Sequence, residues 1–581
     1  MNRPANESAG LTPATEITKH AGAAAGPFEQ ATSKSRLVTS LLVVVLAASF
    51  ALDCAMITRD RFGDYGDDGI YATAAKSLAT GRGYRIISLP TEEPQTLVPP
   101  LYPFLLALIW KAYPHFPENI PWMMLLSVVA TLALLVGTYR YLTRLGYATE
   151  WQALIVVALV GLNWRTMLHG TSVMAEMVYA ALAVLALYLS EKYVQERGST
   201  RAGVAVGVVM GLAFLTRTSG ITLLLAFLCY AIFRSQLKRA LLPAAVASLF
   251  VVAWIGWSYL NRPAADGGNA LYYSSYAAGM NQTIRDLQVL NGTSWSATLF
   301  NIVGTNALLL IIGSIPLSTL GLRFDLPQFI LVPLVLLTII LITAGFIRHV
   351  RMRVSLLSIY IILYLGIHVI HPGTAYDRYI VPICPFLVLL LVSELSVPFA
   401  VIKREFKSGA GAAGRFTAGV IALALAGACA VVIYSNFSAV YQSLTSVKKI
   451  SEAASEGREA IEWIKNNTEP ADILVSNKDM VYYLYTDRRT TPSFQLSKLD
   501  GVPYQSQLPE SEDITRTLLD TINESRGDYL ISNLNDYADV SEFYRQTING
   551  YLRQHPEKFV PVFESSNKNN VIYRILRNND H

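Results

Sequence analysis

Cysteine is scarce in this chain: four in 581 residues, Cys54, Cys229, Cys384 and Cys429. Each lies inside an apolar run with no paired spacing, which excludes a disulfide framework and a thiolate metal site and leaves small buried hydrophobes. Charge is scarce too, at 15% against about 25% in ordinary soluble domains, so the bulk of the chain is no soluble globule. The sequence has no glycine-rich phosphate loop and no dinucleotide fingerprint, and no internal repeat stands out. A cleavable leader is not expected, because the first apolar run starts late, at Leu37, and continues to Ile57 without a small-residue cleavage site.

Apolar residues make up 52% of the chain, and the mean hydropathy is +0.36. Several runs reach the roughly 20 residues that a bilayer demands. The net charge of +5 calls for no nucleic-acid partner, because the basic residues cluster at the ends of apolar segments, the pattern of a multi-pass membrane protein. That rule places the N-terminus inside and predicts about eleven spans: 37–57, 122–142, 151–168, 173–190, 203–216, 220–233, 241–259, 326–347, 356–370, 380–397 and 416–434. Two further apolar runs, 100–113 and 302–320, are broken by Pro or Gly and are expected to lie in the interface.

Three regions follow. Residues 1–36 read as a disordered cytoplasmic tail, 37–435 as the membrane domain with a first outer loop at 58–121, and 436–581 as a soluble extracytoplasmic α/β domain. Within the last, 456–466 is helix-like, while 473–476, 529–532 and 571–576 are strand-like. The linker 403–415 carries three glycines and is expected to be flexible.

The first outer loop opens with Gly66-Asp67-Asp68-Gly69-Ile70-Tyr71, followed by Gly81-Arg82-Gly83-Tyr84 and Val98-Pro99-Pro100-Leu101-Tyr102-Pro103. Acids beside a bilayer are costly and by default mark function; alone, this pair would equally serve the positive end of a helix. In that order and spacing the motifs resemble the first outer loop of GT-C class glycosyltransferases, the bacterial aminoarabinose transferases and protein O-mannosyltransferases. The resemblance covers roughly 37–400 and implies a GT-C fold and an enzyme that transfers a sugar from polyprenyl phosphate with inversion. It also implies that the first acid, Asp67, acts at the acceptor, with Asp68 as its neighbour. The chain has Val98 where the mannosyltransferases have His, and Asp68 where Glu is common, which counts against a protein acceptor.

Chemistry asks for the same groups. A carboxylate takes the acceptor proton, and cations stabilise the departing phosphate, a task suited to the planar fork of arginine. Arg217, in Leu-Thr-Arg-Thr-Ser-Gly, resembles a turn of the same class, and Arg378 stands on the outer side against the charge rule. Its bland alternative is a pair with Asp377. Glu176 resembles the Met-Ser-Glu/Asp element and, with Tyr71 and Arg82, completes the substrate-contact candidates. A solvated loop charge is the blander reading of Arg82. Asp67, Asp68, His169 and Glu176 are the groups a divalent ion would use, as in the metal-dependent oligosaccharyl branch; no metal and no other cofactor is expected.

The sequence-level reading is an enzyme of the cell envelope, in a bacterial inner membrane, acting on a polyprenyl-phosphate-linked sugar and a lipid, glycan or protein acceptor. A flippase or transporter for a lipid-linked sugar is the alternative; it predicts mid-membrane charges and repeats. A non-catalytic envelope assembly protein is the third.

Overall fold

A computed structural model describes residues 27–261, 284, 288, 292–371, 377–407, 412–445, 447–493, 511–533, 542–566, 568 and 570–577. The tail expected over 1–36 falls outside this set up to residue 26; from Pro27 the chain is already helical. Most of the polar stretch 261–300 and the centre of the 403–415 linker also lie outside the described residues.

The helices run α1 Pro27–Met56, α2 Asp67–Ala79, α3 Leu101–Ala112, α4 Ile120–Arg144, α5 Glu150–Gly161, α6 Trp164–Gly170, α7 Glu176–Gln195, α8 Thr200–Thr216, α9 Ile221–Phe233 and α10 Leu237–Leu260. After the undescribed stretch come α11 Trp295–Leu308, a π turn Leu309–Ser314, α12 Ile315–Leu320, α13 Gln328–Met352, α14 Leu356–Ile370, α15 Cys384–Lys407 and α16 Ala412–Thr445. Among the described residues, eight helices are long and apolar enough to cross a membrane, nine if the bent pair α5–α6 is one span. The count of eleven took α8, α9 and α14 as spans; these are shorter apolar helices.

Local chemistry explains the breaks. Asn163 caps α6 by accepting the backbone N–H of Arg165, and α5 and α6 meet there at 63°, which turns a would-be span into a corner. Thr149 and Ser355 form capping boxes that start α5 and α14. Gly207 and Gly211, one turn apart on α8, leave room for Pro243, Val246 and Phe250 of α10, where any Cβ would collide; small residues at that spacing let two membrane helices close up.

By length and composition the 295–320 rod counts among the eight, and hydrogen bonds hold it to its neighbours at two points. Asn306 donates to the carbonyls of Val369 and His371 at 3.1 and 2.6 Å. Roughly 20 Å further along the helix, the Ser318 carbonyl accepts Asn163 Nδ2 at 2.8 Å and the Gly321 carbonyl accepts Trp164 Nε1 at 2.9 Å. The run expected to lie in the interface, 302–320, thus belongs to a helix long and apolar enough to cross a membrane, held at its middle by the end of α14 and at its end by the α5–α6 corner.

Beyond the membrane region lie α17 Val447–Asn467, α18 Asp479–Thr486, α19 Ser511–Ser525 and α20 Glu542–Gln554, with strands β1 Ile473–Val475, β2 Arg489–Thr491, β3 Tyr529–Asn533, β4 Phe559–Glu564 and β5 Asn570–Ile575. The sheet order is β2-β1-β3-β5-β4; β1 is parallel to β2 and β3, and β5 is antiparallel to β3 and β4. Alternation along the strands sends Val475 and Leu530 to one face, with Leu518, Ile522, Ile548 and Leu552, and Leu474 and Ile531 to the other, with Ala460 and Ile464. Helices thus cover both faces of a small α/β domain.

This domain clamps the first loop. Met480 lies against Gly69, and Val481 against Gly63, whose φ of +97° and whose tight fit both favour glycine. The Thr490 N–H donates to the Ser88 carbonyl at 2.8 Å. Arg489 reaches the carbonyls of Ile87 and Leu89 and the carboxylate of Glu92. Arg489→Ala leaves the Ile87 carbonyl unpaired and removes the ion pair to Glu92, and is expected to cost about 1–3 kcal/mol. Faster limited proteolysis of the C-terminal domain at unchanged membrane insertion is the readout; equal cleavage rates would show that the clamp does not depend on this residue.

Candidate active site

The site is built where four chain segments end at one face of the bundle. After α1 the chain turns through Gly63 and Gly66, both at positive φ, into α2, whose first turn carries Asp67 and Asp68. The two neighbours part company at once. Asp67 is half-buried and faces a cavity, where Arg378 Nη1 donates to its Oδ2 at 2.8 Å. Asp68 is buried and folds back on the backbone, accepting the N–H groups of Gly63 at 2.7 Å and Gly69 at 2.8 Å. Burial pushes the Asp68 carboxyl up to about 7, although both N–H donors favour its ionised form.

Arg217 caps the end of α8 in extended conformation. Its guanidinium pairs with Glu176, the first residue of α7, which is fully buried. Burial opposes the charge on Arg217, but Glu176 outweighs it and holds that guanidinium firmly protonated. Arg378 lies in the turn before α15. Tyr379 sits between the two cations, its ring 5.8 Å from the Arg217 carbon and 5.3 Å from that of Arg378. Tyr71 packs edge-on against Tyr102 of the Pro-Pro-Leu-Tyr-Pro run, with centroids 4.9 Å apart.

Asp67, Tyr71, Arg217 and Arg378 line one cavity of about 380 Å³, together with Pro99 and His371. Glu176 stands behind it as the counter-charge of Arg217. Two candidates are not brought to the cavity. Asp68 spends both oxygens on the turn. Arg82 pairs with Glu92, the carboxylate that also receives Arg489, and so faces the clamp. Nor does Asp377 partner its neighbour Arg378: it pairs with Arg165 of α6, which is itself buried. The result is a ladder of alternating charge, Arg165–Asp377 beside Arg378–Asp67.

Sequence reasoning passed over His371. Burial and the nearby cations of Arg378 and Arg217 lower it to about 4, so the ring is neutral at pH 7. A lone histidine after an apolar run carries no motif that marks it in the sequence. His169 is buried and lies against Tyr65. Among the described residues, no three His, Cys, Asp or Glu side chains gather as metal ligands.

A second cavity, of about 450 Å³, adjoins the first. Its walls are Tyr84, Leu101, Phe104, Leu215, Trp254 and Trp257, with Leu215 two residues from Arg217 and Pro100 next to Pro99. It is apolar, and the first is polar.

With that geometry in view, residues 97–257 match the family described as dolichyl-phosphate-mannose-protein mannosyltransferase. No curated protein matches the chain by sequence. Among solved structures, the oligosaccharyltransferase of Archaeoglobus fulgidus tethered to an acceptor peptide aligns with a TM-score of 0.54 at 13% identity, over 92% of this chain and 74% of that one. The same organism's AglB in complex with an inhibitory peptide and dolichol-phosphate gives 0.52 at 13%, over 92% and 74%. ArnT from Cupriavidus metallidurans bound to undecaprenyl phosphate gives 0.49 at 15%, over 94% and 99%. The chain has a GT-C fold. Its residues 97–257 resemble the mannosyltransferase family, and the chain is an integral membrane protein.

The raised Asp68 carboxyl has a consequence for stability. Its ordinary value is 3.8 and its folded value about 7, so the native state binds the proton more tightly than the unfolded chain. The stabilisation is complete below about pH 4 and is lost as pH rises through 7. Thermal unfolding of the full chain in detergent is expected to show this decline between those limits, and Asp68→Asn, which cannot ionise, is expected to flatten it. Parallel curves for the two proteins would show that Asp68 is ionised throughout.

Proposed function

We propose that this chain is an integral-membrane glycosyltransferase that moves a sugar from a polyprenyl-phosphate donor to a hydroxyl acceptor on the extracytoplasmic face of a bacterial inner membrane. One observation carries the reading: a carboxylate, Asp67, and two arginines, Arg217 and Arg378, meet in one cavity that opens beside an apolar one. The fold and the family match over 97–257 support it.

Arg217 and Arg378 hold the donor phosphate, and the polyprenyl chain lies along Leu101, Phe104, Trp254 and Trp257. The acceptor oxygen attacks the anomeric carbon as the bond from that carbon to the phosphate oxygen breaks. The bonding pair leaves with the phosphate, whose new charge the guanidiniums stabilise. The acceptor proton goes to Asp67. A single displacement of this kind inverts the anomeric centre and forms no sugar–enzyme bond.

The Asp67–Arg378 pair gives the donor a second role. While Arg378 donates to Asp67 Oδ2, that carboxylate oxygen is occupied. A phosphate that draws the guanidinium toward itself releases Asp67, so the base is armed only when the donor is present. Glu176 keeps Arg217 charged and in place. Asp68 shapes the turn that presents Asp67, and Tyr71 walls the cavity. The C-terminal domain, 436–581, holds the loop and covers or recognises the acceptor.

Asp67→Asn is expected to lower transfer by about 10²–10⁴-fold with normal insertion, measured as polyprenyl phosphate released from radiolabelled lipid-linked sugars in membranes. Arg217→Lys is expected to weaken polyprenyl-phosphate binding by about tenfold, because an ammonium lacks the bidentate fork. Full turnover in Asp67→Asn would remove Asp67 from the mechanism. Unchanged binding in Arg217→Lys would move the phosphate elsewhere.

A further inference from the structure

On the far side of the charge ladder lies a cavity of about 590 Å³ that the scheme above leaves without a role. Trp164, Arg165, Arg323, Phe324, Asp325 and Gln442 line it. It falls in the size range of small-molecule sites, which pair apolar walls with a few fixed polar groups.

Its position is the first point. Arg165 lines this cavity and pairs with Asp377; the next residue, Arg378, lines the donor cavity and pairs with Asp67. Two cavities therefore share one ionic wall, with the proposed base on that wall. Arg61, six residues before Asp67, is anchored to the same rim, its Nη2 donating to the Ser443 carbonyl at 3.5 Å.

Its chemistry is the second. Arg165 is only 6% exposed, and its guanidinium lies 4.6 Å from the Trp164 ring and 5.9 Å from Phe324. Arg323 donates to both oxygens of Asp325 and to the Gln442 amide oxygen. Both guanidiniums that line the cavity, Arg165 and Arg323, already face a carboxylate, so most of its positive charge is balanced. That disfavours a phosphate or sulfate, which needs unbalanced cations. Aromatic faces carry negative quadrupole charge and attract the slightly positive C–H face of a sugar ring. Planar guanidinium, carboxylate and amide groups match the donors and acceptors of adjacent hydroxyls.

We propose that this cavity is the acceptor site, and that it takes a neutral, hydroxylated sugar ring. The inference rests on the transferase reading, since it assigns the second substrate of the same reaction. It makes the acceptor a glycan, free or lipid-carried, in place of a peptide side chain.

The test uses the full chain in detergent on an array of immobilised neutral oligosaccharides, with phosphorylated and sialylated glycans as anionic comparators. Neutral glycans are expected to retain the protein. Phe324→Ala, which removes an exposed ring (67%), and Gln442→Ala are each expected to weaken retention by about tenfold, one stacking or hydrogen-bond contact. Trp164 is left intact, because its indole N–H holds the Gly321 carbonyl. Undecaprenyl phosphate binding, followed by thermal shift, is expected to be unchanged in both variants. Retention by anionic glycans alone, or equal retention of wild type and both variants, overturns the acceptor site while leaving the donor site standing. No thermal shift with undecaprenyl phosphate in the wild type overturns the transferase reading instead.

Discussion

Everything at the active end of this protein depends on ion pairs formed where water is scarce. Glu176 is fully buried at the start of a membrane helix, and Arg165 and Asp68 are nearly so. Removing such groups from water costs several kcal/mol each, and their mutual attraction only roughly offsets it. A membrane protein has cheaper ways to join helices, as Gly207 and Gly211 show. Three pairs at one end, Glu176–Arg217, Asp67–Arg378 and Arg165–Asp377, are thus better understood as stored charge than as glue. Each is a cation held ready with a temporary or permanent counter-ion.

The two kinds of counter-ion differ in burial, and that difference orders their roles. Glu176 has no solvent access, so losing Arg217 would strand a charge in the apolar bundle; that pair is permanent. Asp67 is half-buried at the cavity wall, so water and a ligand hydroxyl have access to it once Arg378 shifts. Its adjacent residue shows the contrast. Asp68 accepts two backbone N–H groups and sits against the α18 clamp through Gly63 and Gly69. One aspartate is built into the turn and the other is presented by it.

Much of this was legible in sequence, for physical reasons that can be named. Bilayer thickness and the cost of charge within it made the apolar runs and their basic ends readable, and period-2 and helical patterns marked the strands and helix of the C-terminal domain. Asp67, Arg217 and Arg378 could be placed at one end of the bundle because an ionisable residue at the rim breaks an otherwise strict pattern. The illegible parts depend on tertiary geometry. Asp377 turns to Arg165 because Asn163 bends α5–α6 by 63°, and no local spacing announces that corner. Arg82 pairs within its own loop with Glu92, a carboxylate that a domain some 400 residues away also engages through Arg489. The short helices α8, α9 and α14 look like spans to a hydropathy reading, which registers apolar character and cannot see where tertiary contacts end a helix.

The shared wall between the two polar cavities constrains how any reaction here proceeds. The two rungs of the ladder balance in charge, so in the proposed reaction an incoming sugar phosphodiester adds one negative charge to a wall of net zero. The nearest response is for Arg378 to swing from Asp67 toward the anion, which costs little because one charge-assisted hydrogen bond replaces another. Asp67 Oδ2, which accepts from Arg378 in this structure, is then free to accept from another donor. Asp377 cannot follow, since Arg165 is held by Trp164, Phe324 and the Leu322 carbonyl, which accepts its Nη2 at 3.2 Å. In the proposed transfer, a rigid rung beside a movable one lets donor binding on one side free the carboxylate of Asp67 on the other.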